Sequence, residues 1–153
     1  MGQMPAVAEV PWDDAAAAAL RAAQEREIAD RYGDEDTEPI TGDGMLTTLV
    51  VHHDGTPVGC VSLRDAAPGH GAGTGEVKRL YVAPGARGRG LGRALVLAVE
   101  ARAAALGLTR LVLESGVRQP ESVALYRSLG WDAITPYGPW ADHPETLCFG
   151  KAL

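Results

Sequence analysis

Residues 87–93 read Arg-Gly-Arg-Gly-Leu-Gly-Arg, and three alternate glycines set among arginines leave few folds open to this chain. The run follows an apolar, β-rich segment at 77–82 and opens an alanine- and leucine-rich segment at 94–106. Strand, glycine turn and helix together make a device for holding phosphate. The first amides of a helix have no intrahelical acceptor, and the macrodipole places partial positive charge there. Glycine lets an anion approach the backbone unobstructed. The chain is therefore expected to bind a phosphorylated ligand.

The charge pattern narrows the ligand. Net charge is −6, which argues against general nucleic-acid affinity. Residues 1–43 hold eleven acids against three arginines, whereas 76–93 hold Lys78, Arg79, Arg87, Arg89 and Arg93 against Glu76 alone. A compact cationic patch at the glycine turn suits a small polyanion. With 153 residues, 46% of them hydrophobic, the chain reads as one domain over 1–153 with a real core. No apolar run approaches the ~20 residues that span a bilayer, and the first ten residues do not read as a secretory signal. Cys60 and Cys148 lie in separate strand-like runs and read as reduced buried thiols of a cytoplasmic protein. No Cys or His spacing suggests a metal.

The elements alternate. A short strand at 7–10 precedes a helix at 15–31 capped by Asp13 or Asp14. An acidic loop at 34–44 follows. Strands at 45–51 and 56–63 are joined by His53-Asp54-Gly55, a hairpin signal. Residues 66–75, with four glycines and Pro68, read as a mobile loop. Then come a strand at 76–82, a helix at 90–106 and a strand at 111–113. A proline-started helix at 120–129 and strands at 131–134 and 147–152 complete the chain. On the helix at 90–106, Leu91, Leu95, Ala98, Val99 and Leu106 form one apolar stripe, and Gly107 is its C-cap. The order implies a mixed α/β sheet with helices packed on it.

Familiar phosphate binders fail on particular residues. A nucleoside-triphosphate loop needs Lys-Ser/Thr after its last glycine, and here Arg93-Ala94 follows Gly92. A dinucleotide fingerprint meets Arg93 or Leu95 where its third small residue should stand. Glu114, at the end of the next strand, sits near where a ribose-binding acid would, but only 39 residues remain after it to complete a doubly wound sheet.

What remains is Arg-x-x-Gly-x-Gly at Arg87, Gly90 and Gly92, and it resembles motif A of the GNAT superfamily of acyl-coenzyme A-dependent N-acyltransferases. Glu76-Val77-Lys78-Arg79-Leu80-Tyr81-Val82 resembles the family's fourth strand. Ser122-Val123-Ala124-Leu125-Tyr126-Arg127-Ser128-Leu129-Gly130-Trp131 resembles motif B. The likeness is sharp over 76–131 and loose outside. It implies a mostly antiparallel sheet whose fourth and fifth strands splay at a bulge, with the pantetheine arm in a gap between Leu80-Tyr81-Val82 and Leu111-Val112-Leu113. It also implies that the backbone of Gly88, Arg89, Gly90, Leu91, Gly92 and Arg93, with Arg87, holds the pyrophosphate of acetyl-coenzyme A. Gln119 stands where many members have an asparagine on the arm.

The implied reaction moves an acetyl group onto a primary amine by direct attack. An amine of pKa ~10.4 must lose a proton, and the thiolate must gain one. Tyr126 is the expected donor, Glu76 the expected base and Glu114 an alternative base. The Val82 N–H is expected to stabilise the oxyanion. His70 and His143 are weaker candidates for acceptor contacts; His52 and His53, at a hairpin tip, are discounted. A cysteine nucleophile lacks an adjacent base in sequence. The acidic first third reads as solubilising charge, with attraction of a cationic amine as the alternative. The resemblance implies a small-molecule or peptide acceptor, no membrane or nucleic-acid partner, and a homodimer as one arrangement. A non-catalytic acyl-coenzyme A sensor is the competing function.

Overall fold

The protein was analysed as a computed structural model, which describes residues 5–33 and 40–153. The acidic run at 34–39 falls outside them. Seven strands form one sheet: β1 (Ala6–Val10), β2 (Met45–His53), β3 (Thr56–Asp65), β4 (Thr74–Val82), β5 (Arg110–Gly116), β6 (Asp132–Ile134) and β7 (Thr146–Ala152). Their order is β1-β2-β3-β4-β5-β7-β6, antiparallel except for the β4–β5 pair. The helices are α1 (Ala15–Tyr32), α2 (Ala67–His70), α3 (Leu91–Ala105) and α4 (Pro120–Ser128), with a 3-10 turn at Pro84–Ala86.

Alternation along β2 sorts the sheet into two faces. Leu49 and Val51 pack with α3 residues Leu95, Val96 and Val99, while Val50 packs with α1 residues Ala17 and Leu20. The stripe on α3 is Leu91, Leu95, Val96, Val99 and Ala103; Leu106, expected on it, follows the helix and is 41% exposed. Removing a buried leucine such as Leu95 from this layer is worth about 2–5 kcal/mol, so the packed helix firmly fixes the turn at its start.

Local chemistry matches the observed ends. Asp14 caps α1, its carboxylate accepting the Ala17 N–H at 3.0 Å. Asp54 and Gly55 both have positive φ and join β2 to β3 as a tight hairpin. The 66–75 segment, expected as a loop, instead holds α2 and the first residues of β4. Its backbone is ordered by the Ala66 N–H bond to Thr74 O at 2.9 Å.

One irregularity positions the site. Ser62 lies opposite Lys78 and Cys60 opposite Tyr81, so Arg79 and Leu80 share one partner position on β3. Arg79 absorbs this bulge at φ 59°. On the other edge, β4 pairs with β5 only at Thr74, Gly75 and Glu76, opposite Arg110, Leu111 and Val112. Beyond that point β4 stays with β3 and β5 with β7, and the two strands part. The gap therefore opens later along β5 than expected. Leu111 and Val112 still belong to the paired part, and the parted stretch begins at Leu113.

Candidate active site

The glycine turn borders a cavity of about 260 Å³, walled also by Leu80, Tyr81 and Val82. Gly88 and Gly90 hold φ 82° and 75°, and a Cβ on either would meet no atom within 4 Å. The backbone here is open to an incoming group. Gly90 is the N-cap of α3 without any side-chain cap, and the first helical bond runs from Ala94 N–H to Gly90 O at 3.1 Å. The amides of Leu91, Gly92 and Arg93 thus have no intrahelical acceptor. Gly92 serves packing instead, since a Cβ there would lie 3.2 Å from Leu125 Cδ2 and its smallness lets α4 close on α3.

The arginines divide as well. Arg87 donates from Nε to Val82 O at 2.9 Å and from Nη2 to both Glu27 oxygens at 2.7 and 2.8 Å. It bolts the turn to the end of β4 and to α1. Arg93 lines the cavity, while Arg89 is exposed outside its walls.

A second cavity, about 230 Å³, adjoins the first and shares Gln24, Ile28 and Gln119 with it. Its walls come from α1, from β3 and β4 through Arg64, Lys78 and Arg79, from β5 through Glu114 and Ser115, and from the late loop through Trp140 and His143. The two cavities adjoin across these shared walls, beside the stretch where β4 and β5 have parted. Gln24 sits at the junction, where its Nε2 donates to the bulged Leu80 carbonyl at 2.7 Å. Its Oε1 and the Ser115 hydroxyl are buried without a hydrogen-bond partner among the described residues. Orphaned acceptors in such a place fit an arm carrying amide N–H groups.

The sequence reading did not single out Gln24 at this junction, because it is one of several polar residues on α1 and carries no motif. Val82 ends β4 on the parted side. Ala83 N–H donates to Val58 O at 2.7 Å, so alternation turns the Val82 N–H away from β3 toward the gap.

The carboxylates differ in setting. Glu76 is 5% exposed at the point of divergence. Its Oε1 accepts from Arg64 Nη2 at 2.5 Å and Nε at 3.2 Å, and its Oε2 accepts from the Tyr137 hydroxyl at 2.8 Å. Burial and the neighbouring Glu76 charge raise the Tyr137 pKa. His70 stacks edge-on against Tyr137 at 4.4 Å, so α2 and the late loop meet above Glu76. Glu114, two residues beyond the last paired position on β5, lines the second cavity directly.

Tyr126 is packed at 5% exposure with its ring 5.7 Å from Trp131 and 5.9 Å from Phe149. Burial raises its pKa, so the phenol stays protonated. His143 lines the cavity beside Trp140, with Nδ1 accepting the Glu145 N–H at 3.1 Å. Both cysteines are free and buried; burial pushes the Cys60 thiol up to about 12 and raises that of Cys148. Thiols held neutral in this way are poor nucleophiles. Among the described residues no cluster of three His, Cys, Asp or Glu could hold a metal, and no helix is long and apolar enough to cross a membrane.

The comparisons with known proteins converge. A model of the acetyltransferase (GNAT) family matches residues 8–131. An IAA acetyltransferase of Azospirillum brasilense is 43% identical over 105 residues, which cover 69% of this chain and 67% of that protein. A crystal structure from Klebsiella pneumoniae, provisionally assigned as an acyl-CoA N-acyltransferase, aligns at TM-score 0.81 with 27% identity over 98% of each chain. A GNAT family acetyltransferase from Elizabethkingia anophelis, solved with acetyl-CoA bound, shares the fold at TM-score 0.73 and 16% identity, over 99% of this chain and 100% of that one.

Proposed function

This chain belongs to the acetyltransferase (GNAT) family, and on that premise we propose that it moves an acetyl group from acetyl-coenzyme A to a primary amine by direct attack in a ternary complex. The observation that carries the reading is the pair of adjoining cavities: one bordered by an open glycine cradle, the other with charged walls, sharing Gln24, Ile28 and Gln119 beside the point where β4 and β5 part. In this reading the diphosphate lies on the amides of 88–93, with Arg93 at its side. The arm runs through the gap past Gln24 and Gln119. Such a donor is supplied in the cytoplasm, where two reduced thiols are at home.

The donor brings an activated thioester carbonyl; the chain orients it and manages two protons. The acceptor ammonium gives its proton to Glu114, which lines the second cavity, while Glu76, held by Arg64 and Tyr137, anchors the loop that covers the cavity. The amine nitrogen attacks the carbonyl carbon and the Val82 N–H takes up the developing oxygen charge. The carbon–sulfur bond breaks as the acylated nitrogen sheds its second proton; Tyr126 protonates the departing thiolate, and that second nitrogen proton restores the phenol.

Release of coenzyme A thiol across an amine panel tests the reading. Turnover on at least one amine is expected; tight acetyl-coenzyme A binding with none would favour the sensor function. Tyr126→Phe keeps the ring against Trp131 and Phe149 and removes only the hydroxyl. It should lower kcat about 10–100-fold with coenzyme affinity and melting temperature unchanged. Unchanged kcat would take the donor role from Tyr126.

A further inference from the structure

We propose that the acceptor carries a carboxylate as well as its amine, an amino-acid-like zwitterion whose acid group is held by Lys78 with Arg64. The inference rests on the acetyl-transfer reading for the site and adds the class of its second substrate.

The wall formed by β3 and β4 is unevenly neutralised. Among the described residues Glu76 is the carboxylate in ion-pair reach of two cations there, with Oε1 at 2.5 Å from Arg64 Nη2 and Oε2 at 3.8 Å from Lys78 Nζ. Oε2 is already engaged by Tyr137. The cluster of Arg64, Lys78 and Glu76 therefore carries one net positive charge at the cavity edge. Arg79, further along the same strand, has its own ion pair with Glu25 at 3.5 Å.

Lys78 is mostly buried, its side chain 17% exposed, and its contact with Glu76 is longer than a hydrogen bond. A carboxylate entering the cavity would complete the hydration that this ammonium has lost. A polyamine or aminoglycoside, suggested by the acidic first third of the sequence, would bring like charge against the same wall.

The opposite wall presents carboxylates. Glu114 and Glu145 line it, with Glu145 turned to Arg118 at 2.9 Å. An amine directed at Glu114 and a carboxylate directed at Lys78 lay a short zwitterion across the cavity, with its nitrogen beside the gap. Ile28, Ile40 and Trp140 supply an apolar side for the remainder.

The test is calorimetric titration of coenzyme A-saturated protein with L-leucine and with its decarboxylated counterpart, 3-methylbutylamine, and likewise with L-phenylalanine and 2-phenylethylamine. At least one acid should bind about tenfold or more tighter than its paired amine, the scale of one charge-assisted hydrogen bond. Lys78→Met should erase that advantage and Lys78→Arg should keep it, with coenzyme A affinity the same in all three proteins. Equal or tighter binding of both amines, no binding of any of the four, or an advantage that survives in Lys78→Met would overturn the proposal. Thiol release, measured in parallel, separates the two readings. An acid that binds preferentially without being acetylated supports this recognition while sinking the transferase. Acetylation of amines with no preference for the acid does the reverse.

Discussion

Gly90→Asp should abolish acetyl-coenzyme A binding, by more than about 100-fold or about 2.8 kcal/mol, and leave the melting temperature close to that of the parent protein. The substitution separates two effects that a bulky residue would mix. Gly90 sits at φ 75° and ψ 15°, in the left-handed region, where any side chain is strained by up to about 1–2 kcal/mol and Asp is among the least disfavoured. A carboxylate at the start of α3 also agrees with the helix macrodipole and can accept from the uncapped amides of its first turn. The chemistry that ruins the site thus offsets the backbone strain. The new side chain enters the open space found at this position, takes the donors meant for the diphosphate and repels it. Calorimetry and a melting curve on the same sample check both halves. Retained affinity would show that the ligand's phosphates lie elsewhere.

Glu114→Gln should lower kcat/KM at neutral pH about 100-fold or more while coenzyme binding is unchanged. The deficit should shrink as pH climbs toward the amine's own pKa of ~10, because the acceptor then arrives deprotonated. A pH–rate profile of the variant against the parent is the measurement; a deficit of constant size at every pH would mean that Glu114 does not accept the proton. Glu76→Gln makes the informative contrast. It weakens the bonds to Arg64 and Tyr137 and removes a charge that serves both Arg64 and Lys78. Leaving those groups poorly satisfied costs about 1–3 kcal/mol, so its first sign should be a lower melting temperature.

The part of this site made from contiguous residues was legible in the sequence. A strand, glycines with nothing to pack against and an alanine-rich helix declare the cradle within about twenty residues, and Pro120 with Gly130 frames the helix that bears Tyr126. The contacts that give those residues their settings were not legible, because they join distant positions. Tyr137 reaches Glu76 across 61 residues, and Arg87 reaches Glu27 across 60. No local pattern encodes either pair. The same holds for Gln24, which reaches the junction from a helix whose many polar residues carry no motif. Arg79 is instructive for another reason. A left-handed residue invites a glycine, yet here the bulge is imposed by the diverging strands, and an arginine held by its neighbours accepts the strain. Gly92 looked equal to Gly88 and Gly90 until the approach of Leu125 showed it to be a packing residue.

The most direct test of the central claim is thermal unfolding of the unmodified chain with acetyl-coenzyme A and, separately, with NAD. At a hundred times its dissociation constant, acetyl-coenzyme A should add about 2.7 kcal/mol, which raises the melting temperature by roughly 5–10 °C for a chain of this size. NAD at the same concentration should leave it where it was. A rise with NAD and none with acetyl-coenzyme A would contradict the assignment of the glycine cradle to a thioester carrier.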